Sequence, residues 1–356
     1  MSSRTAPSVR SETYAQPQSS GASTESFPSA PLLEIRDLFV EYVTPRGPVR
    51  AVDGVSFSIA PGEVFGLAGE SGSGKSTIAH AVLRLLHPPA VITGGTILFN
   101  GEDVLEMSMD RLEAFRWSDV SMVFQSAMNS LNPVMKIGDQ IADVLVRHNK
   151  FGKRAARDRA ADLLSIVGID RHRLDSYPHQ LSGGMRQRAV IAIALALEPP
   201  IMIMDEPTTA LDVVVQKDIM QQIEQLKEKM GFSILFITHD LSLMVEFSTR
   251  IAIMYAGEIV ELAPARDLFE DPLHPYTQGL MNSFPSLTGP RRKLTGIPGA
   301  PPDMVAPPSG CRFHPRCEKC LPMHTRVVPK LREIKKDHWV ACHLYEEDPD
   351  VRWRRT

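Results

Sequence analysis

This sequence predicts an α/β fold, a parallel sheet flanked by helices, with a helical insertion and a small C-terminal extension. Three observations carry that expectation. GESGSGKST (69–77) fits the pattern G-x4-G-K-[ST] and lies between an apolar run and a helical one. Short apolar runs at 201–204, 234–237 and 251–255 are flanked by helical segments, as strands buried on both faces are. Between 137 and 197 the signals are helical, with no good strand.

The elements follow in order. Residues 1–30 are Ser, Thr, Pro and Gln with almost no large apolar side chains, so a disordered tail is expected. Residues 33–43 alternate in polarity and predict a strand. Residues 49–70 read as two strands around the turn at Pro61-Gly62. Apolar spacing of three and four predicts a helix over 78–86. A strand over 94–100 ends at Asn100-Gly101. Helices are expected over about 138–147, over 154–167 with Gly168 as the stop, and from just after Ser182. Composition shifts near 266. Proline is dense over 298–315, which reads as an extended linker before a short, loop-rich, cysteine-containing unit. The expected organisation is a tail (1–30), a main domain (31–265) with a helical subdomain at about 137–197, and an extension (266–356).

Composition bounds the function classes. A chain of 356 residues allows two domains, or one large domain with an appendage. Hydrophobic residues at 43% and charged residues at 23% permit a sizeable core. With 39 Lys and Arg against 42 Asp and Glu, the net charge of −3 gives no broad electrostatic reason to bind nucleic acid or an anionic membrane. The most apolar stretch, 189–204, is broken by Glu198, Pro199 and Pro200, so no bilayer span is expected. The first residues carry no apolar run of the signal-peptide kind. The expectation is a soluble intracellular chain able to dock on a membrane protein.

The chemistry is concentrated in a few motifs. In 69–77, Gly69, Gly72 and Gly74, with Ser71 and Ser73 between them, let backbone N–H groups curl around a phosphate. The following helix adds partial positive charge. Lys75 should reach the β and γ phosphates, and Ser76 should ligate Mg2+ with Thr77 beside it. IMIMDE (201–206) is an apolar run ending in two carboxylates. Asp205 is expected in the Mg2+ environment, and Glu206 as the base that polarises the attacking water. LSGGMRQR (181–188) precedes them, with Ser182 lying 23 residues before Asp205.

In this order, these three segments resemble the nucleotide-binding subunit of an ATP-binding cassette (ABC) protein, whose signature is LSGG. The resemblance implies an ABC-type core, with an antiparallel β part beside the parallel sheet, and ATP with Mg2+ as cofactors. It implies that Tyr42 stacks on adenine. Gln125, in VFQ after an apolar strand, would touch Mg2+ and the attacking water and open the loop that faces membrane subunits. His239, in ILFITHD, would contact the γ-phosphate, and Asp212, in ALD, would link two nucleotide sites across a dimer. In this family two cassettes pack head to tail. Ser182, Gly183 and Gly184 of one chain would then cap the γ-phosphate held by the other chain's Lys75.

Further motifs narrow the resemblance. HPYT (274–277), GCRFHPRC (310–317), VACH (340–343), NSLNP (129–133), TTALDV (208–213) and YAGEIVE (255–261) are similar to the ATPase subunits of oligopeptide, dipeptide and nickel importers. The similarity covers roughly 32–346 and is nearer the D-type subunit than its F-type sister. It implies an ATPase that powers an importer of peptides or similar small solutes, peripheral on the cytoplasmic side of the inner membrane. The implied partners are a second ATPase subunit (the F-type sister or a second copy), two integral permeases and an extracytoplasmic solute-binding protein, with no nucleic acid. Importers of oligosaccharides or nickel share the scaffold. A soluble, non-transport ABC ATPase is the reading from another class. Chromosome ATPases separate the loop and signature by long coiled coils, whereas Lys75 and Ser182 are 107 residues apart. Repair and translation ATPases usually carry two cassettes, and this chain has one. A GTPase is disfavoured because no N-K-x-D motif occurs.

All four cysteines, Cys311, Cys317, Cys320 and Cys342, fall at the C-terminal end with spacing C-x5-C-x2-C-x21-C. Sparse and clustered, they suggest a local metal site in a reducing compartment rather than a disulfide framework. Four thiolates could bind a 4Fe–4S cluster or Zn2+; the third reading is free buried thiols. In the importer family this region resembles a cluster-binding module, but the third cysteine usually comes where His324 stands here. Cys320 would replace it, or His324 would join as a ligand.

Overall fold

The computed structural model describes residues 30–125, 130–149, 151–209, 211–283 and 296–346. The expected disordered tail, apart from Ala30, lies outside the described residues, as does Asn129.

In chain order the regular elements begin with β1 (Leu33–Thr44), β2 (Gly47–Ile59) and β3 (Val64–Ala68), then α1 (Lys75–Val82), β4 (Ala90–Phe99), β5 (Glu102–Asp103), α2 (Met109–Ser118) and β6 (Val120–Val123). The helical middle is α3 (Ile137–Asn149), α4 (Lys153–Ile166) and α5 (Gly183–Ala194). Then come β7 (Ile201–Asp205), α6 (Val213–Met230), β8 (Ser233–Ile237), α7 (Leu241–Phe247), β9 (Arg250–Tyr255) and β10 (Glu258–Pro264). The C-terminal part holds α8 (Ala265–Glu270), α9 (Pro275–Asn282), β11 (Arg332–Lys335) and β12 (His338–Val340).

Two sheets form among the described residues. One is antiparallel, in the order β2-β1-β4-β5. The other runs β11-β12-β10-β9-β3-β8-β7-β6, and its pairs from β9 to β6 are parallel. Every residue of β3, β7 and β8 is buried. A parallel strand sandwiched on both faces needs that, which is why these strands read as unbroken apolar runs. Successive residues then serve opposite cores. Val64, Met202, Ile234 and Ile251 join a core with the helical middle. Phe65, Ile203, Leu235 and Ala252 join one with α1, α2 and the antiparallel sheet. Each fully buried large side chain contributes about 1.5–3 kcal/mol.

Local chemistry sets the ends. Gly74, at φ 104, opens α1, and Arg84, at φ 48, lies just beyond its end. The helix therefore spans Lys75–Val82 rather than the expected 78–86: it begins at the loop lysine and stops short. Asp212 Oδ1 accepts the Val215 N–H at 3.0 Å to cap α6, and Gly231, at φ 77, closes it. β10 has no counterpart in the sequence reading. It returns from β9 through Ala256-Gly257, both at positive φ (48 and 85), the tight turn that suits an antiparallel hairpin. The ten-residue α2 was likewise not expected, since it buries only Leu112 and Phe115 and shows little periodicity.

The proline-rich segment does not separate the extension from the cassette, contrary to expectation. β12 pairs with β10, so the extension's strands continue the main sheet. Arg46 pairs with Asp303, and Arg312 with Asp53, Glu258 and the Ala256 carbonyl. The reason is geometric: β10 would otherwise be a bare edge, and ion pairs between residues more than 250 apart in sequence leave no local trace. A wholly buried carboxylate anchors the junction. Glu261 accepts the Leu273 N–H (2.7 Å) and the His274 N–H (2.9 Å), and His338 Nε2 lies 2.7 Å away.

Glu261→Ala should therefore cost about 3–5 kcal/mol, because it orphans several buried polar groups at once. Chemical denaturation should show a lowered midpoint; a midpoint within experimental error of wild type would refute this account of the junction.

Candidate functional site

The strand order puts the chemistry in one place. The phosphate loop follows β3, His239 follows β8, Asp205 and Glu206 end β7, and Gln125 follows β6. These four strands are consecutive neighbours, so the residues gather at the carboxyl ends of the parallel sheet.

The phosphate loop is closely confined. A Cβ on Gly69 would lie 2.2 Å from the Met254 carbonyl oxygen, and one on Gly74 would lie 2.2 Å from that of Ala51. Both have positive φ, so only glycine fits at either position. Lys75 is buried, and its ammonium donates to the carbonyls of Gly69 and Glu70 at 2.8 Å each and to Ser73 Oγ at 3.2 Å. Burial lowers its pKa, while Glu206, Asp205 and Glu70 oppose that by their charge. Ser71 and Gly72 are exposed, while Ser73 is buried and its carbonyl accepts the Gly257 N–H at 3.1 Å. Thr77 Oγ1 lies 3.3 Å from the Tyr42 hydroxyl, which ties the expected adenine-stacking residue to the first turn of α1.

Ser76 Oγ donates to Asp205 Oδ1 at 3.1 Å. Burial raises the Asp205 pKa, and the Ser76 hydrogen bond offsets part of that. A hydroxyl and a buried carboxylate are hard oxygen donors, and a cation beside Asp205 would offset its desolvation. The pair fits Mg2+, which favours one or two carboxylates together with substrate phosphates.

Glu206 is the convergence point. Its Oε2 accepts from Gln125 Nε2 and from Thr209 Oγ1, both at 3.0 Å, and its Oε1 lies 3.1 Å from His239 Nδ1. Glu206 has φ 48, an uncommon conformation for a long side chain, held by its N–H bond to the Ile237 carbonyl at 2.8 Å. Thr209 stands three residues after Glu206 inside the TTALDV motif, where no spacing signal marks it out as a functional residue.

The signature residues lie elsewhere. Ser182 caps α5 by accepting the Met185 N–H at 3.3 Å, and it and Gly183 are exposed. Helix α5 packs on α3, α4, α6 and β6. Asp212 is likewise exposed at the start of α6. Ser182, Gly183 and Asp212 thus face outward, while Gly184 is half-buried, where a Cβ would lie 2.8 Å from Val215.

Two residues of the C-terminal motifs reach the phosphate loop, a role the sequence reading did not assign. The Tyr276 hydroxyl, from HPYT, accepts the Glu70 N–H at 2.9 Å. Arg316, from GCRFHPRC, donates to both Glu70 carboxylate oxygens at 2.8 and 3.0 Å.

The four cysteines differ in exposure. Cys311, Cys317 and Cys342 are partly buried, Cys320 is exposed, and all four are free. Burial pushes the Cys311 thiol up to about 11 and the Cys342 thiol up to about 12, and raises Cys317. His324 Nδ1 accepts the Leu321 N–H at 3.0 Å, and its ring stacks on His343. Among the described residues no three His, Cys, Asp or Glu side chains gather as a metal-holding group. The 4Fe–4S or Zn2+ expectation thus finds no support in this arrangement, although Cys342 feels the charges of Cys311 and Cys317 and the buried His324 Nε2 has no hydrogen-bond partner. Iodoacetamide at pH 8 should label Cys320 well before Cys311 and Cys342, read by mass spectrometry. Equal rates at all three would contradict the burial pattern.

Comparison with known proteins agrees with this geometry. Residues 52–209 match the ABC transporter family model, and residues 260–323 match that of the oligopeptide/dipeptide transporter C-terminal region. The chain is 44% identical to the dipeptide transport ATP-binding protein DppD of Bacillus subtilis (strain 168), over 89% of this chain and 95% of that one. It is 43% identical to the oligopeptide transport ATP-binding protein OppD of the same organism, over 89% and 90%. Among solved structures, it resembles an ATP-binding cassette in a dimeric, post-hydrolysis state bound to ADP and Pi, with TM-score 0.59 and 29% identity. That match covers 66% of this chain and 99% of the other.

Proposed function

The chain belongs to the ABC transporter family, as an ATP-binding subunit of the oligopeptide/dipeptide type, and on that premise we propose that it hydrolyses ATP to power the import of peptides or similar small solutes. The observation that carries the chemistry is the convergence of Gln125, Thr209 and His239 on Glu206, beside Lys75, Ser76 and Asp205.

In this reading the glycine-rich loop and Lys75 hold the β and γ phosphates, and Tyr42 stacks on adenine. Ser76 and Asp205 would hold Mg2+, with Gln125 beside them; when bound, the ion would supply charge neutralisation at the phosphate oxygens. Glu206 accepts a proton from water as its oxygen bonds to the γ-phosphorus and the bond to the β-bridging oxygen breaks, leaving ADP and phosphate. Gln125 and Thr209 hold one oxygen of Glu206 and leave its direction little freedom. His239, bound to the other, faces the γ-phosphate.

Ser182, Gly183 and Gly184 serve a second subunit. Placed at the N-terminus of α5, with Ser182 and Gly183 exposed, they suit a γ-phosphate held by a partner cassette, with Asp212 linking the two sites. The partner is an F-type sister or a second copy of this chain. Two permeases and an extracytoplasmic solute-binding protein complete the importer, on whose cytoplasmic face the subunit sits. Among the described residues, no helix is long and apolar enough to cross a membrane. No step of this reading passes through the cysteine-containing end.

Glu206→Gln should lower steady-state hydrolysis by about 10²–10⁴-fold while ATP still binds; a phosphate-release assay showing near wild-type turnover would remove Glu206 as the base. Ser182→Arg should leave nucleotide binding to the isolated chain intact and block hydrolysis at the partner's phosphate loop. Loss confined to the mutant chain's own loop, in a mixed complex, would refute the head-to-tail site.

A further inference from the structure

Glu70 brings a negative charge into a loop built for polyphosphate anions. Its backbone is fully engaged. The N–H donates to the Tyr276 hydroxyl at 2.9 Å, and the carbonyl accepts from Lys75 Nζ at 2.8 Å and from the Ser73 N–H at 3.2 Å. Its carboxylate meets one cation face to face: Arg316, through two parallel hydrogen bonds of 2.8 and 3.0 Å. That bidentate form is directional and strong.

Arg316 is itself immobilised by the C-terminal half of the molecule. Its Nε donates to the Pro298 carbonyl at 2.8 Å, and one terminal nitrogen lies 3.4 Å from the Tyr255 hydroxyl. The guanidinium carbon lies 5.7 Å from the Tyr255 ring centroid and 6.0 Å from that of Phe313. Its side chain is only 6% exposed. Tyr255, Tyr276 and Phe313 pack together with centroid separations of 4.6 to 5.4 Å, so the cation sits on a rigid aromatic base. The proline-rich segment continues past it. Pro301, Pro302 and Met304 face Ser71, Gly72 and Ser73 across a cavity of about 230 Å3.

The charge of Glu70 is felt inside the site. Glu70 is joined directly to the phosphate-binding lysine, its carbonyl accepting from Lys75 Nζ at 2.8 Å. Its negative field opposes a phosphate held by Lys75, since like charges repel over this range in a partly buried site.

We propose that Arg316 is a positioning residue for the ATPase: it neutralises the Glu70 carboxylate beside the phosphate loop, so that the C-terminal extension sets the affinity for ATP. The cassette's nucleotide site is thereby completed by a residue 246 positions away, outside the cassette motifs. The inference rests on the ATPase reading above, which the parent protein's own ATP binding tests separately. Removing Arg316 exposes the triphosphate to an uncompensated carboxylate. Removing both charges restores neutrality, and that outcome separates an electrostatic role from a merely structural one.

The test uses the full chain carrying Glu206→Gln, so that bound ATP persists, with Mg·ATP titrated calorimetrically. Arg316→Ala should weaken binding by about tenfold. Adding Glu70→Gln to Arg316→Ala should restore affinity to within about threefold of the parent, and Glu70→Gln alone should bind ATP more tightly than the parent. Arg316→Lys, which keeps the charge and loses the fork, should fall between parent and Arg316→Ala. Unchanged affinity in Arg316→Ala, or a double variant as weak as Arg316→Ala, overturns the proposal. If Arg316→Ala does not fold, Glu70→Gln alone decides it: weaker binding than the parent overturns it, and tighter binding supports it.

Discussion

The phosphate loop is wedged between two backbone carbonyls, and the rest of the site depends on that confinement. Gly69 lies against the carbonyl of Met254 on β9, and Gly74 against that of Ala51 on β2. The first belongs to the parallel sheet and the second to the antiparallel one, so the loop's shape is set only when both sheets are assembled. A side chain at either glycine would have to displace backbone, which close-packed interiors resist. The loop in turn sets where α1 begins, and so places Lys75 and Ser76 within reach of β7.

Charge balance is the second constraint. Lys75 is buried among Asp205, Glu206 and Glu70, and Asp205 is raised by burial. Desolvated charges are tolerated when they are paired and hydrogen-bonded. Lys75 spends its three protons on loop oxygens, Asp205 takes the Ser76 hydroxyl, and Glu206 takes Gln125 and Thr209. A magnesium nucleotide brings charges of both signs into this set. Ser76, Asp205 and Glu206 are already oriented by the strand ends, while Lys75 must exchange loop oxygens for phosphate oxygens.

The C-terminal extension is structurally continuous with the cassette. Its strand β12 extends the sheet at β10, the buried Glu261 gathers His338 and the start of α9, and Tyr276 and Arg316 hold Glu70. The HPYT motif has a simple physical account. His274 caps α9 by accepting the Tyr276 N–H at 3.0 Å, Pro275 suits the first helical position, and Tyr276 reaches the phosphate loop. Burial lowers the His274 pKa to about 4, consistent with a neutral ring accepting that bond.

Much of this was legible in the order of residues. The phosphate loop, the strand ending in Asp205-Glu206, the helical middle and most central strands were readable because each depends on local periodicity or on residues a few positions apart. Gln125 and His239 were readable only through family resemblance, since a lone glutamine or histidine carries no spacing signal. Tertiary structure alone decided the rest. Strand order put Gln125 and His239 on the same carboxylate, as the hydrogen bonds to Glu206 show. Ion pairs across hundreds of residues tied a proline-rich stretch, which by composition reads as a linker, to the cassette. Burial left the cysteine thiols raised and Cys320 outside. The physical reason is the same in each case: periodicity records which face of an element is apolar, whereas pairing between distant elements is chosen by the global packing that buries those faces together.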